Sequence, residues 1–260
     1  MALVRMDRNG VVAVLTLDRP NARNALSTAM CDEITGAVEA LEEGDRPRSL
    51  IVRGAGKVFC SGADLADVSG PDALDFLAAF ERMLETLGHS RVPTIAAIHG
   101  AALGGGFQLA TVCDFRIAAD DARLGIPSSR LGIVVNFENV ERLVVLAGIA
   151  TAKEVLMTAR TYSGIEAAAA GLVHRAVPRT ALEQEVARLA DEIEGLAPLA
   201  VEGAKRAVQA VTDRLGNARS THPERAEEID ALVTRAYASE DLAEGLRAAA
   251  EKRSPHFRGR

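Results

Sequence analysis

Apolar positions recur along this chain with two different periods. Val11 to Leu17 is an apolar, β-branched run preceded by Arg8-Asn9-Gly10. Asn-Gly beside such a run is a two-residue hairpin signal, so the chain is predicted to open on a β-hairpin. Ser27 stands where a helix N-cap belongs, Met30, Ile34, Val38 and Leu41 follow at helical spacing, and Gly44 is the stop. Ser49 to Arg53 reads as extended, Pro71 to Leu87 as helical, and Pro93 to Ile98 as extended again. After a short helix, Val112 to Ala118 makes another strand. Strands and helices alternating in one chain predict an α/β architecture with largely buried sheets.

From Glu138 onward the period is almost wholly helical, interrupted by Gly171 to Val177, which reads as one short strand. Ala181 to Leu196, Leu199 to Val211 and Glu224 to Ala238 each carry an apolar stripe suited to packing on a core or on another subunit. There is no low-complexity linker and no repeat of fixed period. The basic ending, Glu251 to Arg258, is expected to order only against a ligand or neighbour.

Composition narrows the function. The chain has 260 residues, 48% of them hydrophobic and 25% charged, as in an ordinary globular protein with a substantial core. No apolar run approaches the ~20 residues needed to span a bilayer, and Met1 to Gly10 lacks the apolar block of a secretory signal. A cytoplasmic protein without a membrane partner is therefore expected. A net charge of −6, no tryptophan and 3% aromatics speak against nucleic acid as a partner and for a small-molecule substrate. Cys31, Cys60 and Cys113 are an odd, widely spaced set in apolar sequence, expected as buried free thiols and not as a disulfide framework or metal site.

The chemistry concentrates in two glycine turns. Ile95 to Ala110 reads as a buried strand, a small-residue turn and a helix opening on Gly104-Gly105-Gly106. Glycine lets a backbone approach a ligand, and the first N–H groups of a helix lack internal acceptors, so such a turn can hold developing negative charge. It also suits tight packing alone, and neither the dinucleotide spacing nor the P-loop lysine is present. Lys57 to Leu65 follows another strand and offers Gly62-Ala63 in the same manner. Paired turns of this kind can form an oxyanion hole, each donor worth ~3 kcal/mol in a thioester reaction barrier.

At this point the chain resembles a known family, the crotonase (enoyl-CoA hydratase/isomerase) superfamily. The likeness is carried by Asn24-Ala25-Leu26-Ser27, Phe59 to Leu65, Ile98 to Asp114, Ala170-Gly171-Leu172-Val173 and Glu251-Lys252-Arg253 to Phe257. The resemblance implies an α/β crotonase (ClpP-like) spiral of β-β-α units over residues 1–195, bearing an acyl-CoA site. A helical region over 196–260 would serve oligomerisation and cover the CoA. It also implies a homo-trimer or hexamer, and no cofactor beyond coenzyme A carried in by the substrate. The oxyanion donors it implies are the N–H groups of Ala63 and Gly105.

Family hydratases carry two catalytic glutamates, and the matching positions here are Gln108 and Ser128. Neither titrates near neutrality, so neither exchanges protons as a carboxylate does. Some family isomerases and dehalogenases place a catalytic Asp where this chain has Asn136, and some decarboxylases a Tyr where it has Val135. Glu138 is the candidate relocated acid/base, against the plainer role of complementing a helix dipole from the first turn. His99 is expected to be a buried, hydrogen-bonded imidazole, and a serine nucleophile at Ser128 lacks its elbow sequence. For the CoA portion, Lys252 matches a phosphate-binding lysine, while Arg23, Asn24, Ala25, Leu65 and Ala66 lie where the family cradles adenine and pantetheine. Asp64 is either a ligand contact or a cap. Val134, Val135 and Phe137 suit an apolar acyl pocket. Two readings remain: an enzyme running isomerisation, decarboxylation or atypical hydration through an enolate, and a non-catalytic acyl-CoA-binding protein.

Overall fold

A computed structural model describes residues 2–69, 73–216 and 218–260. The opening hairpin pairs β1 (Val4–Asn9) with β2 (Val12–Leu17), antiparallel, with Asn9 opposite Val12. The loop is thus Gly10-Val11, one residue later than an Asn-Gly turn would place it. Gly10 has φ 59°, the positive value that a glycine-first hairpin turn requires. Helix α1 (Thr28–Glu42) follows, and the Ser27 hydroxyl accepts from Met30 N at 3.3 Å. Its apolar stripe packs on that of α3 (Ala73–Gly88), reached through β3 (Ser49–Gly54) and the short α2 (Leu65–Ser69). The helix predicted from Pro71 is seen from Ala73; Pro71 and Asp72 lie outside the described residues.

Next come β4 (Thr94–Ile98), β5 (Ala101–Leu103), α4 (Gly105–Thr111), β6 (Phe115–Ala119) and β7 (Arg123–Gly125). Helix α5 (Phe137–Thr158) is broken at Gly148, and β8 (Tyr162–Ser163), α6 (Gly164–Ala169) and β9 (Arg175–Val177) close the spiral. The larger sheet runs β1-β2-β3-β4-β6-β9, parallel except for the first pair. All five residues of β4 are buried, as befits a central strand covered on both faces.

A second sheet, β5-β7-β8, was not evident in the apolar pattern, because its strands are only two or three residues long. Isolated parallel bridges, Leu26 to Ala63 and Cys60 to Ala102, continue it around the spiral. Two predicted strands are shorter than expected. The strand expected from Val112 begins at Phe115, because the Asp114 carboxylate turns back to accept from Thr94 N and Lys205 Nζ, both at 2.7 Å. Buried Arg116 then gathers the carbonyls of Ala110, Thr111 and Cys113. Likewise only Arg175–Val177 of the Gly171 to Val177 run is extended, since Leu172 N and Val173 N close a turn on Ala167 O.

The chain ends in α7 (Leu182–Glu194), α8 (Pro198–Leu215), α9 (Ala218–Thr221), α10 (Pro223–Tyr237) and α11 (Glu240–Glu251). α7 lays its buried stripe across β3, β4 and β6. α8 buries no residue; Lys205 Nζ and Gln209 Nε2 tie it to Val92 O and Gly88 O, leaving Leu199, Val208, Val211 and Leu215 exposed. The basic ending does not wait for a ligand: Glu244 takes His256 N and pairs with Arg253, and Asp241 takes Arg258 N and Gly259 N. Among the described residues no helix is long and apolar enough to cross a membrane. The three cysteines are buried free thiols, and burial pushes each up to about 12.

Asn24 holds the loops that carry the site. It is completely buried, its Nδ2 donates to Ala55 O, Val58 O and Phe59 O, and its Oδ1 accepts from Arg19 N at 3.0 Å. Replacement by Ala strands several buried backbone groups at ~1–3 kcal/mol each. Asn24→Ala is expected to lower Tm by roughly 6–10 °C, given about 2–4 °C per kcal/mol at this chain length, measured by circular dichroism melting.

Candidate functional site

The segments after β3 and after β4 lie side by side. Phe59 N donates to His99 O (2.8 Å), Cys60 N to Ala101 O (3.0 Å) and Leu103 N to Cys60 O (3.1 Å). On the other flank, Leu26 N donates to Gly62 O (2.8 Å) and Asp64 N to Leu26 O (2.7 Å). Successive N–H groups of an extended chain point to opposite sides, so the N–H of Ala63, between those two bonds, faces away from Leu26. It has no acceptor among the described residues.

Gly105 opens α4, where no earlier helical carbonyl exists to take its N–H, and it too has no acceptor among the described residues. The two backbones touch: Ala63 N is 3.5 Å from the point where a Cβ on Gly105 would stand. Two glycines make that approach feasible. Gly62 has φ 109°, and a Cβ on Gly106 would fall 2.5 Å from Cys60 O.

Ala63 and Gly105, which carry the two free N–H groups, both line a cavity of about 180 Å³. Val68, Phe76, Leu77, Phe80, Leu131, Ile133, Val134 and Val135 give it apolar walls, whereas Phe137 is not among its lining residues. Gln108, Ser128 and Asn136 all line it, so three candidate side chains meet around the paired donors. Gln108 is 8% exposed, and neither its amide nor the Ser128 hydroxyl has a protein partner among the described residues.

Glu138 is not brought to this cavity. Its carboxylate accepts from Arg219 Nε, and Arg219 also grips both oxygens of Asp230. The cause is geometric: Asn136 stands at the N-terminal boundary of α5 and lines the pocket, and two residues on, the helix has turned Glu138 toward α9 and α10. The carboxylate that does line the cavity is Glu81 of α3, which sequence reading missed. Its signal was an acidic residue directly beside Phe80 on an otherwise buried helical stripe. Tyr237, from α10, also lines the cavity, and burial pushes its phenol up to about 12, so it is a donor and not a base at neutral pH.

The CoA-side candidates divide. Arg23, Leu65 and Ala66 are exposed and Ala25 is half-buried, with Leu65 on the cavity rim. Asn24 is the exception, fully buried and spent on backbone, so it shapes the loop without reaching a ligand. Asp64 is engaged on both oxygens, by Arg19 and by Ala66 N, which is the capping role. Lys252 sits exposed at the left-handed C-cap of α11, and its ammonium has no hydrogen-bond partner among the described residues. His99 is half-buried with Nε2 on Gly56 O at 3.1 Å, and burial lowers its pKa. Among the described residues no three His, Cys, Asp or Glu side chains gather as metal ligands. A larger cavity of about 400 Å³ lies at the opposite ends of β3 and β4, where Arg46 and Arg91 neutralise Glu202, and holds neither free N–H.

A family model described as enoyl-CoA hydratase/isomerase matches residues 7–260. The chain is 36% identical over 259 residues to a protein named "Probable enoyl-CoA hydratase echA8" from Mycobacterium bovis, covering 98% of this chain and 97% of that one. Among solved structures it is similar to an enoyl-CoA hydratase/carnithine racemase from Magnetospirillum magneticum (TM-score 0.79, 32% identity, 100% of this chain and 97% of that one). It is also similar to a methylmalonyl-CoA decarboxylase in complex with 2-nitronate-propionyl-CoA (TM-score 0.88, 28% identity, 99% of each chain).

The close approach of Gly106 to Cys60 is testable. Gly106→Ala is expected to destabilise by about 1–3 kcal/mol, the usual cost of overpacking. Gly203→Ala in α8, where a Cβ meets nothing within 4 Å, is expected to leave stability unchanged or raise it. Chemical denaturation of the two variants beside the wild type reads the difference.

Proposed function

We propose that this chain, which belongs to the enoyl-CoA hydratase/isomerase family, is an enzyme that binds an acyl-CoA thioester and stabilises its enolate between the N–H groups of Ala63 and Gly105. One observation carries the reading: two backbone donors from separate segments, neither with a protein acceptor among the described residues, belong to residues that line one cavity. Their carbonyl-derived oxygen partner gains negative charge as the enolate forms, so both bonds strengthen along the reaction.

Gln108 and Ser128 cannot run the paired-glutamate route, so the chemistry must need few protein acids. Decarboxylation of a malonyl-type thioester fits first. The bond between the α-carbon and the carboxylate breaks and CO2 leaves, its electron pair enters the thioester as an enolate, and water protonates the α-carbon, the hydroxide left behind combining with CO2 as bicarbonate. No base is required. The methylmalonyl-CoA decarboxylase fold match supports this order, with isomerisation of an enoyl-CoA next and atypical hydration last.

A second reading is favoured by the engagement of Glu138 with Arg219, which leaves it away from the cavity: an acyl-CoA-binding protein that does not turn its ligand over. In either case coenzyme A arrives with the substrate, with no metal or redox group needed for the step. Residues 196–260 would cover the CoA and build a homo-trimer or hexamer, for which the exposed stripe of α8 is the support. The reading places the protein in the cytoplasm, in acyl-CoA and fatty acid metabolism.

The test is turnover of 2-enoyl-, 3-enoyl- and malonyl-type CoA thioesters followed by mass spectrometry, with Gly105→Pro beside the wild type. Proline suits the first position of a helix and removes the donor, but its ring Cδ takes the place of the amide hydrogen and its Cβ stands 3.2 Å from Phe80, so melting and substrate binding are measured beside kcat. Product from the malonyl class is expected, with kcat about 10²–10³ lower in the variant. Product formed equally by the variant overturns the role of the hole, tight binding without product supports the carrier, and no binding overturns both.

A further inference from the structure

The cavity is apolar along most of its wall, yet it contains a chain of side chains whose hydrogen bonds fix their orientation. Asn139 is 4% exposed. Its Nδ2 donates to Glu81 Oε1 and to Asn136 Oδ1, and its Oδ1 accepts from Arg142 Nη1 at 3.0 Å. Arg142 Nη1 also reaches Glu81 Oε2 at 3.0 Å. Inverting the Asn139 amide would set its oxygen against the Glu81 carboxylate and its –NH2 against the Arg142 donors, so the ion pair selects one orientation. That orientation consumes the Asn136 oxygen. The Asn136 –NH2 has no partner among the described residues, and Asn136 lines the cavity.

Where the family resemblance places an aspartate base in some members, this chain therefore offers a neutral donor. Gln108, nine-tenths buried in the same wall, also has an amide without a protein partner among the described residues. A purely aliphatic acyl chain would displace water from these groups and return nothing, whereas an oxygen on the acyl group would be matched.

We propose that Glu81 is a positioning residue that acts through Asn139 to present the Asn136 amide to an acceptor oxygen carried by the acyl group beyond the thioester carbonyl, so that the pocket selects oxygenated over aliphatic acyl-CoA. This rests on the acyl-CoA reading of the site. It adds to that reading the class of acyl group and the residues that choose it.

The experiment compares acetoacetyl-CoA with butyryl-CoA, equal in carbon number and differing in one oxygen, by isothermal titration calorimetry on the full chain. The wild type is expected to prefer acetoacetyl-CoA about tenfold, the order of one well-formed hydrogen bond. Glu81→Leu frees the Asn139 and Asn136 amides to invert, and the ratio falls to about twofold. Asn136→Asp, nearly isosteric, replaces the donor with an anion and brings the ratio to one or below, while Glu81→Gln keeps an acceptor for Asn139 and retains most of the preference. Asn136→Asp also introduces a carboxylate able to take a proton from acetoacetyl-CoA, so enolate is followed separately by its ultraviolet absorbance, and Glu81→Leu, which adds no base, isolates the amide. Melting curves check that each variant folds, and Asn136→Asp keeps the proposal falsifiable if Glu81→Leu does not. A wild-type ratio near one, or a ratio unchanged in Asn136→Asp, overturns the inference while leaving acyl-CoA binding intact. Failure of the wild type to bind either thioester overturns the acyl-CoA reading and this inference with it.

Discussion

The spacing between two backbone N–H groups governs this structure, and the short pairing of Phe59 to Leu65 with His99 to Leu103 sets it. Three hydrogen bonds across that seam and two more to Leu26 leave Ala63 with one direction to point. Most of the neighbouring sequence serves the approach. Gly62 takes a backbone angle other residues avoid, Gly106 leaves room for Cys60, and Asn24 supports the turn before it from beneath. Side chains around such a site can change without moving the donors, because the donors are backbone.

That property explains which features were legible in the sequence. The strands of the larger sheet and the long helices follow from apolar period, since burial against a core imposes it over many residues. Both glycine turns followed from the same logic, since only glycine tolerates the contacts recorded at Gly62 and Gly106. The small sheet was not legible. Strands of two or three residues such as Tyr162–Ser163 and Ala101–Leu103 carry no measurable alternation, and their register is fixed by the spiral around them. The late start of β6 comes from the Asp114 carboxylate reaching Thr94 N and Lys205 Nζ, which no local window contains, and that of β9 from Leu172 N and Val173 N turning back on Ala167 O.

The acid/base reading shows the same limit at the site. Glu138 is near the pocket loop in sequence, but a helix rotates ~100° per residue, and two residues past Asn136 the side chain faces α9 and α10. Glu81 lies 57 residues earlier and reaches the cavity because side chains of α3 extend to α4 and α5, where Phe80 faces Gly105 and Glu81 meets Asn139. Proximity of that kind comes from tertiary packing, and only the hydrophobic stripe of α3 hinted at it.

A fixed hole beside a variable wall separates two kinds of work. In the proposed function the backbone donors stabilise oxyanionic charge, which is common to many thioester reactions and indifferent to the acyl group. The wall decides which carbon is held near a donor, a base or neither. With Gln108 and Ser128 in place of titrating groups, the wall here contributes polarity without proton transfer, while the Glu81–Arg142 pair lends charge that is spent on orienting two amides. A reaction that generates its own enolate on losing a fragment asks for that combination. A reaction that must first pull a proton from carbon asks for a free carboxylate, and in this cavity the carboxylate present already accepts two hydrogen bonds. On the proposed acyl-CoA reading, the arrangement of donors and acceptors, more than the count of acidic residues, is what favours a reaction other than hydration.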